Sequence, residues 1–213
     1  MGSAKAEATK TRILDAALTE FAAHGLAGAR VERIAAASGF NKNLIYVYFE
    51  NKESLFNTVI QRNSEQIAER LPFTPDDLPG YAARAFDYAM AHPEAMRLVG
   101  WFGLENRADE PKARTAYMAE QSQRIAQGQT DGKISGAFTP GFLMTTVLAL
   151  ASAWSASSPW GPSMAPQELD EPDALRGSIA RVIALLTTDQ EAAVPSGARP
   201  AEAVGTQPGA GRP

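Results

Sequence analysis

The chain has no cysteine among its 213 residues. That excludes disulfides, thiolate metal sites and thiol catalysis together. It has only two histidines, His24 and His92. They lie far apart in sequence, so a metal site would have to rest almost wholly on carboxylates. The N-terminal stretch Met1–Lys10 is polar and lacks the apolar run of a signal peptide. Long apolar runs are also missing. The longest, Phe138–Trp154, is interrupted by Pro140, Thr145, Thr146 and Ser152, too short and too mixed to span a bilayer. A soluble cytoplasmic protein without a membrane partner is expected. Alternating apolar and polar residues, the signature of a half-buried strand, occur nowhere, and there is no internal repeat.

What is present is an apolar fraction of 45%, enough to build a real core. The net charge is −4, but its two signs are unevenly spread. Residues 1–56 carry seven Lys or Arg against six Asp or Glu, whereas the remainder carries 13 against 18. A slightly basic head on an acidic body suits a partner that is negatively charged, though the asymmetry is small.

Helical spacing dominates the pattern. Ile13, Leu14, Ala17, Leu18 and Phe21 form one stripe over Lys10–His24, closed by Gly25. Val31, Ile34, Ala35 and Ser38 form a second over Val31–Ser38, ended by Gly39. A third helix must begin almost at once, because Asn41 is a good N-cap and Ile45–Phe49 keeps the spacing. Two short helices around a tight glycine-bearing turn are a helix-turn-helix signal. A fourth helix is expected over Lys52–Leu71, stopped by Pro72. Further helices are expected over Tyr81–Ala91, Pro93–Arg107, Pro111–Gln127, Thr139–Ser157 and Pro172–Thr188. Residues 190–213, rich in Ala, Gly and Pro, read as a disordered tail. The expectation is an all-α chain of about nine helices. A helix-turn-helix domain over 1–56 would precede a second, larger helical domain over 57–189.

The run from Val31 to Leu55 resembles the DNA-binding domain of the TetR (tetracycline-repressor-like) family of bacterial regulators. The resemblance rests on Ile34-Ala35, the Gly39 turn, Lys42 early in the third helix, the Tyr46-Val47-Tyr48-Phe49 ending, and Asn51-Lys52-Glu53-Ser54-Leu55. It covers about residues 9–60. It implies a homodimeric repressor that binds a palindromic double-stranded DNA operator and is released when its C-terminal body takes up a small-molecule effector. Where the family commonly has Ser or Thr, this chain has Asn41 and Leu44, which leaves the operator sequence open.

With Ile45 and Phe49 turned inward, Lys42, Asn43, Tyr46 and Leu44 are expected to face the major groove. Lys42 can donate to guanine acceptors or a phosphate, Asn43 can pair with adenine, and Leu44 can meet a thymine methyl. Tyr48 and Lys52 are expected on phosphates, with Lys10, Arg30 and Asn41 beside them. The nearly all-round apolar segment Thr139–Ser157 should be buried on two sides. Leu143, Val147, Leu150 and Trp154, with Leu175, Ile179, Val182 and Leu186 of the last helix, are the expected dimer interface. Two recognition helices on one face of DNA would then lie about 34–36 Å apart. An apolar effector pocket would draw on Trp101, Phe102, Leu104, Tyr117, Met118, Met144 and Trp154.

No catalytic constellation and no cofactor site emerge. The segment Gly128–Ile134 has three residues between its glycines where a phosphate loop has four, and no Ser or Thr follows Lys133. A DNA-binding protein with no small-molecule effector is the alternative.

Overall fold

The computed structural model describes residues 2–105 and 112–188, and among them ten α-helices and no strand. The helices are α1 (Gly2–Gly28), α2 (Val31–Ser38), α3 (Lys42–Phe49), α4 (Lys52–Arg70), α5 (Leu78–Ala91), α6 (Pro93–Glu105), α7 (Lys112–Thr130), α8 (Pro140–Ala151), α9 (Gly161–Met164) and α10 (Pro172–Thr187). None is long and apolar enough to cross a membrane. The proposed tail over 190–213 and the expected last turn of α6 lie outside the described residues.

Two cores organise the chain. The first joins α1 to α4: Ile13, Ala17 and Phe21 meet Ile34, Ile45, Leu55 and Phe56, all buried. Phe21 and Phe56 pack edge to face with ring centroids 5.0 Å apart, and each buried aromatic contributes roughly 1.5–3 kcal/mol by leaving water. Leu98 and Phe102 of α6 also enter this core. The head is therefore seated on the body by shared apolar side chains.

The second core lies between α5, α8 and α10. Tyr81, Ala82, Ala85 and Phe86 of α5 pack on Leu175, Ile179 and Ile183 of α10 and on Leu143 and Val147 of α8. The alanines of α5 leave room for neighbouring helices to approach closely. Asp77 caps α5 by accepting the Gly80 N–H at 2.8 Å.

The helix expected over Thr139–Ser157 is shorter than its apolar run. Ser152 turns its hydroxyl back to the carbonyls of Leu148 and Ala149, and the serine-rich chain continues as turns, Ser155 N–H to Ser152 C=O and Ser158 N–H to Ser155 C=O. Side chains that bond the local backbone compete with helix propagation. Gly161 then packs beneath Trp154, where a Cβ would collide with the Ala153 carbonyl.

Candidate nucleic-acid interface

Asparagines cap the starts of α3 and of α4. Asn41 Oδ1 accepts the Leu44 N–H at 2.8 Å, and Asn51 Oδ1 accepts the Ser54 N–H at 2.7 Å. The turn before α3 needs Gly39, whose φ of 74° is in the left-handed region and whose N–H closes α2 on Ala35 C=O. After α3 the chain bends through Glu50 at φ 63° and ψ −56°, with Asn51 N–H donating to Phe49 C=O at 2.7 Å. That is the uncommon, strained γ-turn. Glu50 is the one non-glycine residue with positive φ among the described residues. The turn passes the chain directly into α4, which begins at Lys52.

Ile45 and Phe49 are buried, so the helix is fixed from behind. Lys42, Asn43 and Val47 are exposed, while Leu44, Tyr46 and Tyr48 are half-buried, with Tyr46 and Tyr48 packed on the head's core. Val47, 77% exposed, is absent from the residues picked out by sequence. Its phase between the inward Ile45 and Phe49 is the one signal in the sequence that could have found it.

The cations are already engaged. Lys42 Nζ donates to Glu32 Oε1 at 2.5 Å and lies 5.6 Å from the Tyr46 ring centre. The hydrogen bond to Glu32 is the main reason that Lys42 titrates above its ordinary value and Glu32 below. Both side chains are exposed, so this pair adds little stability and can open readily. Lys52 Nζ approaches the Ala27 and Ala29 carbonyls at 3.5 and 3.4 Å, and the Asn41 carbonyl oxygen is spent on its cap. Arg30 is exposed and Lys10 half-buried.

Arg12 braces the turn by donating to Ser38 C=O at 2.9 Å and lying over the Phe40 ring. Behind α2, Glu20 accepts the Arg30 N–H at 2.8 Å and pairs with the Arg33 guanidinium at 2.5 Å. Burial pushes the Glu20 carboxyl up, but its hydrogen bonds to Arg33 and the Arg30 amide outweigh this and hold it below its ordinary value.

In the body, a cavity of about 370 Å³ opens between α4, α5, α6, α7 and α8. Of the seven residues expected at an effector pocket, Tyr117 and Met118 line it. Met144 is buried in the α5–α8–α10 core, Trp101 and Phe102 pack against the head, Leu104 is exposed, and Trp154 covers Gly161. Tyr81, Tyr88, Met96, Val99 and Leu148 line it too, with Gln61, Ser64 and Glu65 of α4 as its polar edge. They were missed because five helices contribute and no local spacing brings them together. Burial pushes the Tyr81 phenol up to about 12. Among the described residues its hydroxyl has no hydrogen-bond partner, which suits a bound molecule that offers an acceptor. A second cavity, about 420 Å³, is an open polar groove along α1 and α2 that includes Arg12, Glu20 and Arg33.

The expected dimer residues divide. Leu143, Val147, Leu175 and Ile179 are at most 3% exposed in their own chain's core, because α8 and α10 turn these faces to α5. They are not available to a partner. Trp154 lies beyond the end of α8 and donates its indole N–H to Ala165 C=O. Val182 is exposed, and Leu150 and Leu186 are half-buried. Phe142 and Leu185 join them outside at 51% and 52%.

Residues 13–59 match the family model described as bacterial regulatory proteins, tetR family. Residues 77–194 match the one described as tetracyclin repressor-like, C-terminal domain. The chain is 40% identical over 162 residues to the HTH-type transcriptional repressor SCO4008 of Streptomyces coelicolor, covering 75% of this chain and 84% of that protein. It is 31% identical over 102 residues to the HTH-type transcriptional repressor NicS of Pseudomonas putida, covering 45% and 48%. Among solved structures, SCO4942 from Streptomyces coelicolor superposes with a TM-score of 0.74 at 32% identity, over 84% of this chain and 98% of that one. NalD, the secondary repressor of the MexAB-OprM multidrug efflux pump in Pseudomonas aeruginosa, superposes at 0.60 and 21% identity, over 88% and 100%, a likeness of fold.

Proposed function

The chain belongs to the tetR family of bacterial regulatory proteins and is a DNA-binding transcriptional repressor rather than an enzyme; from that premise we propose that it acts as a homodimer on a palindromic operator and lets go when a small, largely apolar effector enters the body. The observation that carries the operator-reading part is the outward row Lys42, Asn43 and Val47 on a helix pinned by Ile45 and Phe49. Lys42 leaves Glu32 for a base or phosphate, Asn43 addresses adenine, and Tyr46, Tyr48, Arg30 and Lys52 flank them toward the backbone. Lys10, Asn41 and Leu44 border the same face.

The cavity between α4 and α8 favours an effector-responsive repressor over a DNA-binding protein with no effector. An effector shifts DNA affinity only by binding the DNA-incompetent arrangement of the two heads more tightly. The test begins with duplexes selected from a random pool by the wild-type chain. Lys42→Ala and Tyr46→Ala are expected to lose about tenfold or more in gel-shift affinity for the selected duplex, the worth of a good base contact. Affinity unchanged in both variants would sink the assignment of this face.

A further inference from the structure

The first helix is broken, and the break is completed from outside. In a continuous α-helix the Leu26 N–H would donate to the Ala22 C=O. At Gly25 the backbone takes φ 65° and ψ −177°, which separates the two groups. Both then bond α6. Leu26 N–H donates to Glu105 Oε2 at 2.6 Å, and Ala27 N–H reaches Glu105 Oε1 at 3.4 Å. The Trp101 indole N–H donates to Ala22 C=O at 3.2 Å. The fit leaves no room for a side chain: a Cβ at Gly25 would lie 2.7 Å from Glu105 Oε1 and 2.8 Å from the Trp101 ring.

We propose that Trp101 and Glu105 are positioning residues that fix the orientation of the DNA-reading head on the body by supplying the hydrogen bonds a helix broken at Gly25 lacks. Their hydrogen bonds go to α1, so they act through the seating of α1 and not through contact with DNA. One helix end receives a carboxylate and the other an N–H donor, which suits the partial charges of the two backbone groups. Leu98 and Phe102 add the apolar half of the same joint. On its other side α6 presents Met96 and Val99 to the body cavity, so the helix that seats the head also walls the chamber. This inference rests on the dimer reading, because the orientation of one head matters only where two must match a fixed spacing on DNA.

The test compares wild type, Trp101→Phe, Glu105→Ala, Glu105→Gln and Lys42→Ala on a selected and a scrambled duplex. Trp101→Phe and Glu105→Ala should lose about tenfold in affinity for the selected duplex, the size of effect expected from losing such bonds. Affinity for the scrambled duplex, its salt dependence and the sedimentation of the dimer should stay unchanged. In Glu105→Ala the Leu26 and Ala27 amides should exchange faster, and Glu105→Gln, which keeps an acceptor, should recover much of the loss. Equal loss on both duplexes, or no loss on either, overturns the positioning role. If Lys42→Ala loses affinity while the α6 variants do not, the joint falls and the α3 reading stands. If Lys42→Ala loses nothing, the α3 reading falls. A wild-type chain that sediments as a monomer overturns the dimer reading and the joint with it.

Discussion

Val47 stands 77% exposed on a helix whose neighbouring apolar residues Ile45 and Phe49 are buried. A large aliphatic group left in water at the centre of a groove-facing surface is suited to the thymine methyl, the apolar feature of the major groove. Burying one methyl against another contributes about 0.8 kcal/mol, or roughly fourfold in affinity. Replacing thymines one at a time by deoxyuridine in the selected duplex should therefore weaken wild-type binding by that factor at one position in each half-site. In Val47→Ala the same swap should cost nothing. A position that remains equally sensitive in Val47→Ala would assign the methyl contact elsewhere, with Leu44 the next candidate. At this scale the sequence was readable where periodicity is strict: Ile45 and Phe49 inward, Lys42 and Asn43 outward. It was unreadable where a charged residue finds a partner outside its own helix, as Lys42 does with Glu32 and Lys52 with the Ala27 and Ala29 carbonyls.

Helices α1 and α2 carry no motif for their mutual angle, yet it determines where α3 points. Glu20 sets it. Its carboxylate holds the Arg30 amide at the start of α2 and the Arg33 side chain one turn on, while Arg33 also donates to Gly28 C=O. Because the folded protein holds the Glu20 carboxyl below its ordinary value of 4.5, its contribution is present at neutral pH. It fades as pH falls below that ordinary value and through the folded one. Glu20→Gln should lower stability at pH 7 by about 1 kcal/mol, a figure discounted because Arg33 is 41% exposed. The difference from wild type should shrink steadily on acidification in urea melts. A gap that stays constant with pH would mean that shape, and not charge, is what Glu20 supplies. Helix ends show the same division of legibility. Asn41, Gly39 and Pro172 marked theirs in sequence. The end of α8 at Ala151 and the continuation of α1 past Gly25 depend on Ser152, Gly161, Trp101 and Glu105, groups whose partners are set by the fold.

Across the whole molecule the unresolved demand is the outer face of α8 and α10. The nearly all-round apolar character of Thr139–Ser157 calls for burial on two sides, and the chain's own core covers one of them. Periodicity could not say which side meets the chain's own core, since every phase of such a helix is apolar. The fold places Leu143 and Val147 on α5 and leaves Phe142 of α8 exposed, as it does Val182 and Leu185 of α10. Gly141 and Gly177 add no side chains there, and a Cβ at either would meet open space. Two such helices from each of two chains would form a four-helix face. Stable interfaces bury about 800 Å² per partner around a few central apolar anchors. Leu185→Glu places a charge at the proposed centre, where pairing would bury it uncompensated in each subunit. The variant should keep wild-type helicity and sediment as a monomer at micromolar concentration. It should also lose selected-duplex affinity while each head retains weak, salt-sensitive binding to any DNA, because the phosphate contacts survive and the matched spacing does not. A Leu185→Glu chain that remains dimeric would move the interface off this face, and one that becomes monomeric but keeps full selected-duplex affinity would show that a single head suffices.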